Sequence, residues 1–250
     1  MFADPAIAAL FHPATLGLIW LGGFLGAVAS GGAGFAFALA ASSIWLHVLD
    51  PLHATLMIVA CSALLQFGTV WPLRRHIDMR RLWPFLAGGL IGIPIGVQAL
   101  AHTDAGVVKM VLGAFLTLFG IYALASPRMH RIEHGGRAAD AAIGFVGGLL
   151  GGFGGYSGVL PTIWTQLRGW SKSEARAVYQ PFIIVVQVVT FVMVGLVALD
   201  RVGIVLLVVT LPALLVGGVV GWQLYGRLDE RRFRQFLAVL LIVSGFVLLL

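Results

Sequence analysis

A chain of 250 residues with a mean hydropathy of +1.00 and only 10% charged side chains is not a soluble globular protein, which carries about 25%. The formal net charge of +6 fits a helical membrane protein with basic loops better than a nucleic-acid binder. The one cysteine, Cys61, excludes an internal disulfide, a thiolate cluster and a CxxC redox pair.

Residues Met1 to Thr15 hold Asp4 and His12 but no Lys or Arg, so the basic start of a signal peptide is missing. Eight apolar segments follow, over 14–47, 52–73, 82–101, 106–125, 139–167, 173–198, 203–226 and 233–250. Each is long enough to cross a hydrocarbon core, which takes about 20 helical residues. The first and fifth are longer and glycine-dense. The first runs Leu21-Gly22-Gly23-Phe24-Leu25-Gly26, then Ala29-Ser30-Gly31-Gly32-Ala33-Gly34-Phe35. The fifth runs Val146-Gly147-Gly148-Leu149-Leu150-Gly151, then Gly154-Gly155-Tyr156-Ser157-Gly158-Val159-Leu160. In lipid, clustered helix-breakers serve either tight helix packing or a backbone that opens around a ligand.

The two halves correspond. A shift of 125 residues superposes Gly22-Gly23 on Gly147-Gly148, Gly92 on Gly217, Gly96 on Gly221, Gln98 on Gln223 and Asp104 on Asp229. A shift of 121 pairs Asp50 with Ser171 and Gln66 with Gln187. Asp50 precedes Pro51, and Ser171-x-x-Glu174 is a capping box, so both start helices. The expected organisation is a first transmembrane repeat over 1–125, a connector over 126–138 and a second repeat over 139–250.

If all eight segments cross, the sixteen Lys and Arg divide evenly between the two faces. If the glycine-rich segments are re-entrant hairpins, each two half-helices joined by a turn, the clusters at 74–81, 126–138, 168–176 and 227–234 share one face. That face then holds fourteen of the sixteen, leaving Lys109 and Arg201 opposite, an asymmetry the positive-inside rule expects. The expected fold is an all-α integral membrane protein of two inverted repeats. Each repeat is a glycine-rich re-entrant or broken helix plus three transmembrane helices. The basic loops then face the cytoplasm and both ends of the chain the periplasm.

The paired glycine segments, each followed by a polar turn and a capped helix (Asp50-Pro51-Leu52-His53-Ala54-Thr55 and Ser171-Lys172-Ser173-Glu174-Ala175), resemble those of the TauE/SafE sulfite exporter family, also called the toluene sulfonate uptake permeases. The resemblance covers residues 16–250. The family's Gly-Gly-Gly with a following Pro persists as Gly154-Gly155-Tyr156-Ser157-Gly158…Pro161. The first half departs from it, with no proline after Gly34. The resemblance implies an inner-membrane secondary transporter of small sulfur-containing anions such as sulfite, sulfoacetate or other organosulfonates.

The residues themselves offer an anion site. A re-entrant hairpin aims the N-terminus of its second helix at the membrane interior, where unpaired N–H groups attract an oxyanion. Ser30, Gly31, Gly32 and Gly34 in one half, and Gly154, Gly155, Tyr156, Ser157 and Gly158 in the other, are the substrate-binding candidates. Gln66 and Gln187, each 16 residues past its cap, join them as amides that either donate to an oxyanion or bond a neighbouring helix. By contrast, Gly22-x-x-x-Gly26, Gly92-x-x-x-Gly96, Gly148-x-x-x-Gly152 and Gly217-x-x-x-Gly221 read as packing grooves. Arg176 lies near enough to a helix start to snorkel to the surface, or else lines an electropositive vestibule.

No Asp or Glu falls mid-span, so a carboxylate proton relay has no support. The histidines sit mainly in connectors at no metal-ligand spacing. No P-loop is present. The expectation is therefore a non-enzymatic carrier with no cofactor or metal, working by alternating access from a site near the midplane between the repeats. Its partners are a small anion and the lipid bilayer but no nucleic acid, and a homodimer is compatible. An anion channel, or a carrier of another small anion or metabolite, is the alternative.

Overall fold

The computed structural model describes residues 5–33, 36–70, 77–125, 135–225 and 230–249. In chain order these form α1 (Pro5–Leu10), α2 (Pro13–Ala33), α3 (Phe37–Val48), α4 (Pro51–Val70), α5 (Met79–His102), α6 (Ala105–Ala125), α7 (Gly136–Gly154), α8 (Val159–Leu167), α9 (Lys172–Ala198), α10 (Arg201–Tyr225) and α11 (Glu230–Leu249). Among the described residues the protein is all-α, and six helices are long and apolar enough to cross a membrane: α2, α4, α5, α6, α9 and α10. Five match expected crossings; α2 belongs to the first glycine-rich segment.

Side-chain caps set the starts of the long helices. Asp50 accepts from the Leu52 and His53 N–H groups at 3.1 Å, Asp78 from Arg80 at 2.9 Å, Asp104 from Gly106 at 2.8 Å and Asp200 from Gly203 at 2.8 Å. Ser171 and Glu174 form the expected capping box at the start of α9. Each carboxylate or hydroxyl satisfies an N–H that the first helical turn leaves orphaned.

Both glycine-rich segments are broken, and each folds back on itself. The Trp45 indole of α3 donates to the Ile19 carbonyl of α2 at 3.0 Å, while Phe37 and Ala41 lie against Gly26. Rising numbers on α2 meet falling numbers on α3, so the two are antiparallel. In the second half Ser157 lies against Gly151, and Trp164 and Arg168 reach Asp140, so α8 returns along α7. The arms are unequal, which departs from the expectation of half-helices. α2 and α7 have 21 and 19 residues, against 12 and 9 for α3 and α8. The glycine- and serine-rich first arm stays helical because apolar surroundings offer no water to an opened backbone.

The glycine grooves seat whole helices. A methyl on Gly88, Gly92 or Gly96 of α5 would strike the backbone of α7 at Ala141, Phe145 or Leu149. One on Gly144, Gly148 or Gly152 would strike α5 at Phe85, Gly89 or Ile93. Numbers rise together, so α5 and α7 are parallel and in near backbone contact. The same holds for α10 on α2, where Gly217 meets Phe24 and Gly221 meets Val28 and Gly31. The pairs α6–α11 (Gly113 with Gly245, Gly120 with Ala238) and α4–α9 (His53 near Asp200, Ser62 near Gln187) are antiparallel.

Candidate functional site

The break between α7 and α8 is closed by a left-handed glycine. Gly155 has φ +82°, its N–H bonds the Gly151 carbonyl at 2.8 Å, and the Tyr156 N–H returns to the Leu150 carbonyl at 3.2 Å. This arrangement ends a helix and suits glycine, since a side chain in the left-handed region costs about 1–2 kcal/mol. A Cβ there would also press on Ile58 of α4.

The cap uses the N–H groups of Gly155 and Tyr156 and leaves those of Ser157 and Gly158 without an acceptor among the described residues. Gly158 heads α8 with no side-chain cap. α3 likewise begins on Ala36 without one. The interior starts of the two return arms thus differ from the capped starts of α4, α5, α6, α9 and α10. Another uncapped start, at Gly135 of α7, lies at the opposite end of its hairpin.

Around this turn the polar side chains are buried and partly unpaired. Tyr156 and Ser157 are 1% and 0% exposed, and the Ser157 hydroxyl has no hydrogen-bond partner among the described residues. The Tyr156 ring packs on Phe115 of α6 at 5.3 Å, and its hydroxyl turns towards Ser42 of α3. That approach brings the two hairpins together. Gln187 of α9 donates from Nε2 to the Gly155 carbonyl at 2.9 Å and approaches Ser62 of α4 at 3.5 Å. Its Oε1 is buried and unpaired. Of the two roles open to this amide, bonding the neighbouring hairpin is the one its nitrogen performs.

The other candidates fall differently. Ser30, buried, and Gly31 lie in the last turns of α2, as does Gly32, and not at the start of the return arm. Gly31 packs on the backbone of Gly221, which is a groove contact. Gly34 lies outside the described residues. Gly154 is the last residue of α7, with the Tyr156 ring and Leu112 where its side chain would be. Gln66 is fully buried within α4. Arg176 is half-buried.

Two clusters escaped the sequence. Asp140, 6% exposed, accepts from Trp164 Nε1 at 2.7 Å and Arg168 Nη1 at 3.2 Å, clasping the open end of the α7–α8 hairpin. Arg168 also lies 5.7 Å from the Trp170 ring, on which Arg81 sits at 4.9 Å. No motif joins residues 24 and 28 positions apart. The second cluster is His53 with Asp50 and Asp200, hidden because a histidine in a connector reads as interfacial. Among the described residues no group of three His, Cys, Asp or Glu could hold a metal ion.

Long apolar helices, backbone-close glycine grooves and two broken-helix hairpins define a multi-pass membrane protein. The chain belongs to the TauE/SafE family of membrane transporters, whose profile, described as Sulfite exporter TauE/SafE, matches residues 19–248. No curated protein and no solved structure matches it.

Proposed function

We propose that this protein carries small sulfur-containing oxyanions, sulfite, sulfoacetate or other organosulfonates, across the bacterial cytoplasmic membrane by alternating access. The binding site is the α7–α8 turn and the facing start of α3. The observation that carries the reading is the set of donors left over there, Ser157 N–H and Oγ and Gly158 N–H, with the Tyr156 hydroxyl beside them. An oxyanion offers only acceptors, and buried donors without partners cost about 1–3 kcal/mol each. The positive end of α8 adds attraction without a charged side chain. Gln187 Oε1, an unpaired acceptor, suits an oxyanion that bears a proton or a sulfonate that bears an amino group.

Depth supports a site near the midplane. The turn meets α4 at Ile58 and α6 at Leu112, each about 10 Å from its helix start, and α9 at Gln187, about 22 Å from its start.

Helix pairing supports two inverted repeats. Gly92 against Leu149 becomes, moved by 125 residues with the halves exchanged, Gly217 against Phe24. Gly96 against Phe153 becomes Gly221 against Val28, and Gly113 against Gly245 becomes Ala238 against Gly120. Direction supports re-entrance. With continuous seventh and eighth helices, α9 would run parallel to α4, whereas it runs antiparallel. On this reading α5 and α9 start at the cytoplasmic face with the basic clusters, and α4, α6 and α10 start at the outer face. α2 then starts outside and α11 ends there.

Thermal unfolding with sulfite, thiosulfate, sulfate, sulfoacetate and taurine tests the site. A bound anion at about 100 times its Kd adds about 2.7 kcal/mol, and Ser157→Ala should remove most of that shift. Equal stabilisation of wild type and variant, or none by any anion, would overturn the assignment.

A further inference from the structure

We propose that His53 is a proton-binding site that latches the outer ends of α4 and α10, and that its counterpart on the cytoplasmic face is a latch insensitive to protons. The inference rests on the alternating-access reading above and adds to it a gate that senses pH.

The geometry of the outer cluster fixes the chemistry. His53 Nδ1 lies 2.6 Å from Asp50 Oδ2, and Nε2 lies 3.3 Å from Asp200 Oδ1. A neutral imidazole has one donor, so carboxylates against both ring nitrogens call for the doubly protonated ring. Asp50 closes the α3–α4 junction and Asp200 caps α10, so the protonated ring ties the first half to the second. Without that proton one of the two contacts loses its donor.

Among the described residues no other charged group bonds the ring. The adjacent end of α9 is Val197-Ala198 and α2 has no titratable residue. His102 of α5 turns back to the Gln98 carbonyl of its own helix. His47 of α3 lies within the field of the Lys109 charge on α6. Arg201 follows Asp200 at the start of α10. The two carboxylates outside the spans report the pairing. Burial opposes charge on Asp50, but hydrogen bonds from His53 outweigh it and lower its pKa. At Asp200 the Gly203 N–H is the main cause of the lowering, with the His53 ring adding to it.

The same position in the second half carries Glu174, third in the first turn of α9 as His53 is third in that of α4. Glu174 meets Arg81 of α5 at 3.0 Å, and Arg81 reaches back to Asp78 at 3.4 Å. Each latch therefore joins the first turn of the helix after a hairpin to the first turn of a helix in the other half, at opposite faces. Arg81 stays charged at any physiological pH, while an imidazole does not. Acidification outside holds the outer latch shut and leaves the inner one untouched.

The test uses purified protein in detergent micelles with Cys61→Ser and Leu56→Cys. Leu56 is buried under the latch against Gly203, so maleimide reaches the new thiol only when α4 and α10 part. Rates are taken relative to the same protein with His53→Lys at each pH, which cancels ionisation of the thiol. The ratio should be near one at about pH 6 and rise about fivefold by about pH 10, the scale of a charge-assisted surface contact. A flat ratio overturns the latch. Should Leu56→Cys disturb packing, nitrogen NMR of the wild-type ring gives the answer: two N–H signals at neutral pH support it, and one overturns it. Counterflow on the same protein separates the readings. Exchange with a flat ratio sinks the latch alone, whereas a pH-dependent ratio without exchange sinks the carrier.

Discussion

Replacing Gly148 with alanine puts a methyl group into the backbone of α5. The new Cβ would lie 2.7 Å from the Gly89 carbonyl carbon, where ordinary contact begins at 3.4 Å. Backbone cannot swing aside like a side chain, so α5 and α7 must separate by about 1 Å. Overpacking of this kind costs about 1–3 kcal/mol, and the better helix propensity of alanine returns about 0.8–1 kcal/mol. Because the obstacle is backbone, the cost falls in the upper part of that range, about 2–3 kcal/mol, and the net expectation is a loss of about 1–2 kcal/mol in reversible SDS-induced unfolding followed by tryptophan fluorescence. Gly92→Ala, which meets the Leu149 nitrogen at 2.7 Å, forces the same separation. The double variant should then fall short of the sum by about 1 kcal/mol. Gly221→Ala opens the α2–α10 groove instead and should add independently to Gly148→Ala. At Gly17 nothing lies within 4 Å, and alanine there should be neutral or slightly stabilising. A neutral Gly148→Ala, or strict additivity with Gly92→Ala, would refute the reasoning.

Ser157→Ala removes a buried hydroxyl that has no partner, so it should leave unfolding unchanged within about 0.5 kcal/mol while lowering anion-induced stabilisation; a large loss of stability would show the hydroxyl to be structural. Arg168→Ala strands the Asp140 carboxylate with only the Trp164 bond and should cost about 2–3 kcal/mol. Adding Asp140→Asn should restore part of that cost in the same unfolding assay, and no restoration would mean the pair is not coupled. The lowered pKa values of Asp50 and Asp200 mean that their contribution is fully present above about pH 4 and fades as pH falls through the folded values. Hydrogen exchange at Leu52, His53 and Gly203, corrected for intrinsic rates, should therefore speed up in acid; unchanged protection would contradict the capping role.

Much of the scaffold was readable because its signals are local. Asp50-Pro51 and Ser171-x-x-Glu174 mark helix starts by residue type and spacing, and the glycines at four-residue intervals mark faces that accept another helix. Which groove receives which helix was not readable, since spacing fixes a face and not its partner. The candidate site was half legible. Tyr156, Ser157 and Gly158 were found as an opened turn, but one glycine sequence cannot say which residue turns left-handed; Gly155 does, and its N–H is spent on the cap. Ser30, Gly31 and Gly32 looked like the equivalent turn, yet they remain helical in α2, and Gly31 packs on Gly221 of α10. The Asp140–Arg168–Trp164 clasp depends on α8 folding back along α7, which no local pattern encodes.

Counterflow in proteoliposomes tests the central claim most directly. Vesicles preloaded with unlabelled sulfite or sulfoacetate should take up the labelled anion faster than empty ones, with saturation, and Ser157→Ala should suppress that acceleration. Anion conductance without trans-acceleration, or uptake indifferent to Ser157, would contradict a carrier whose site is the α7–α8 turn.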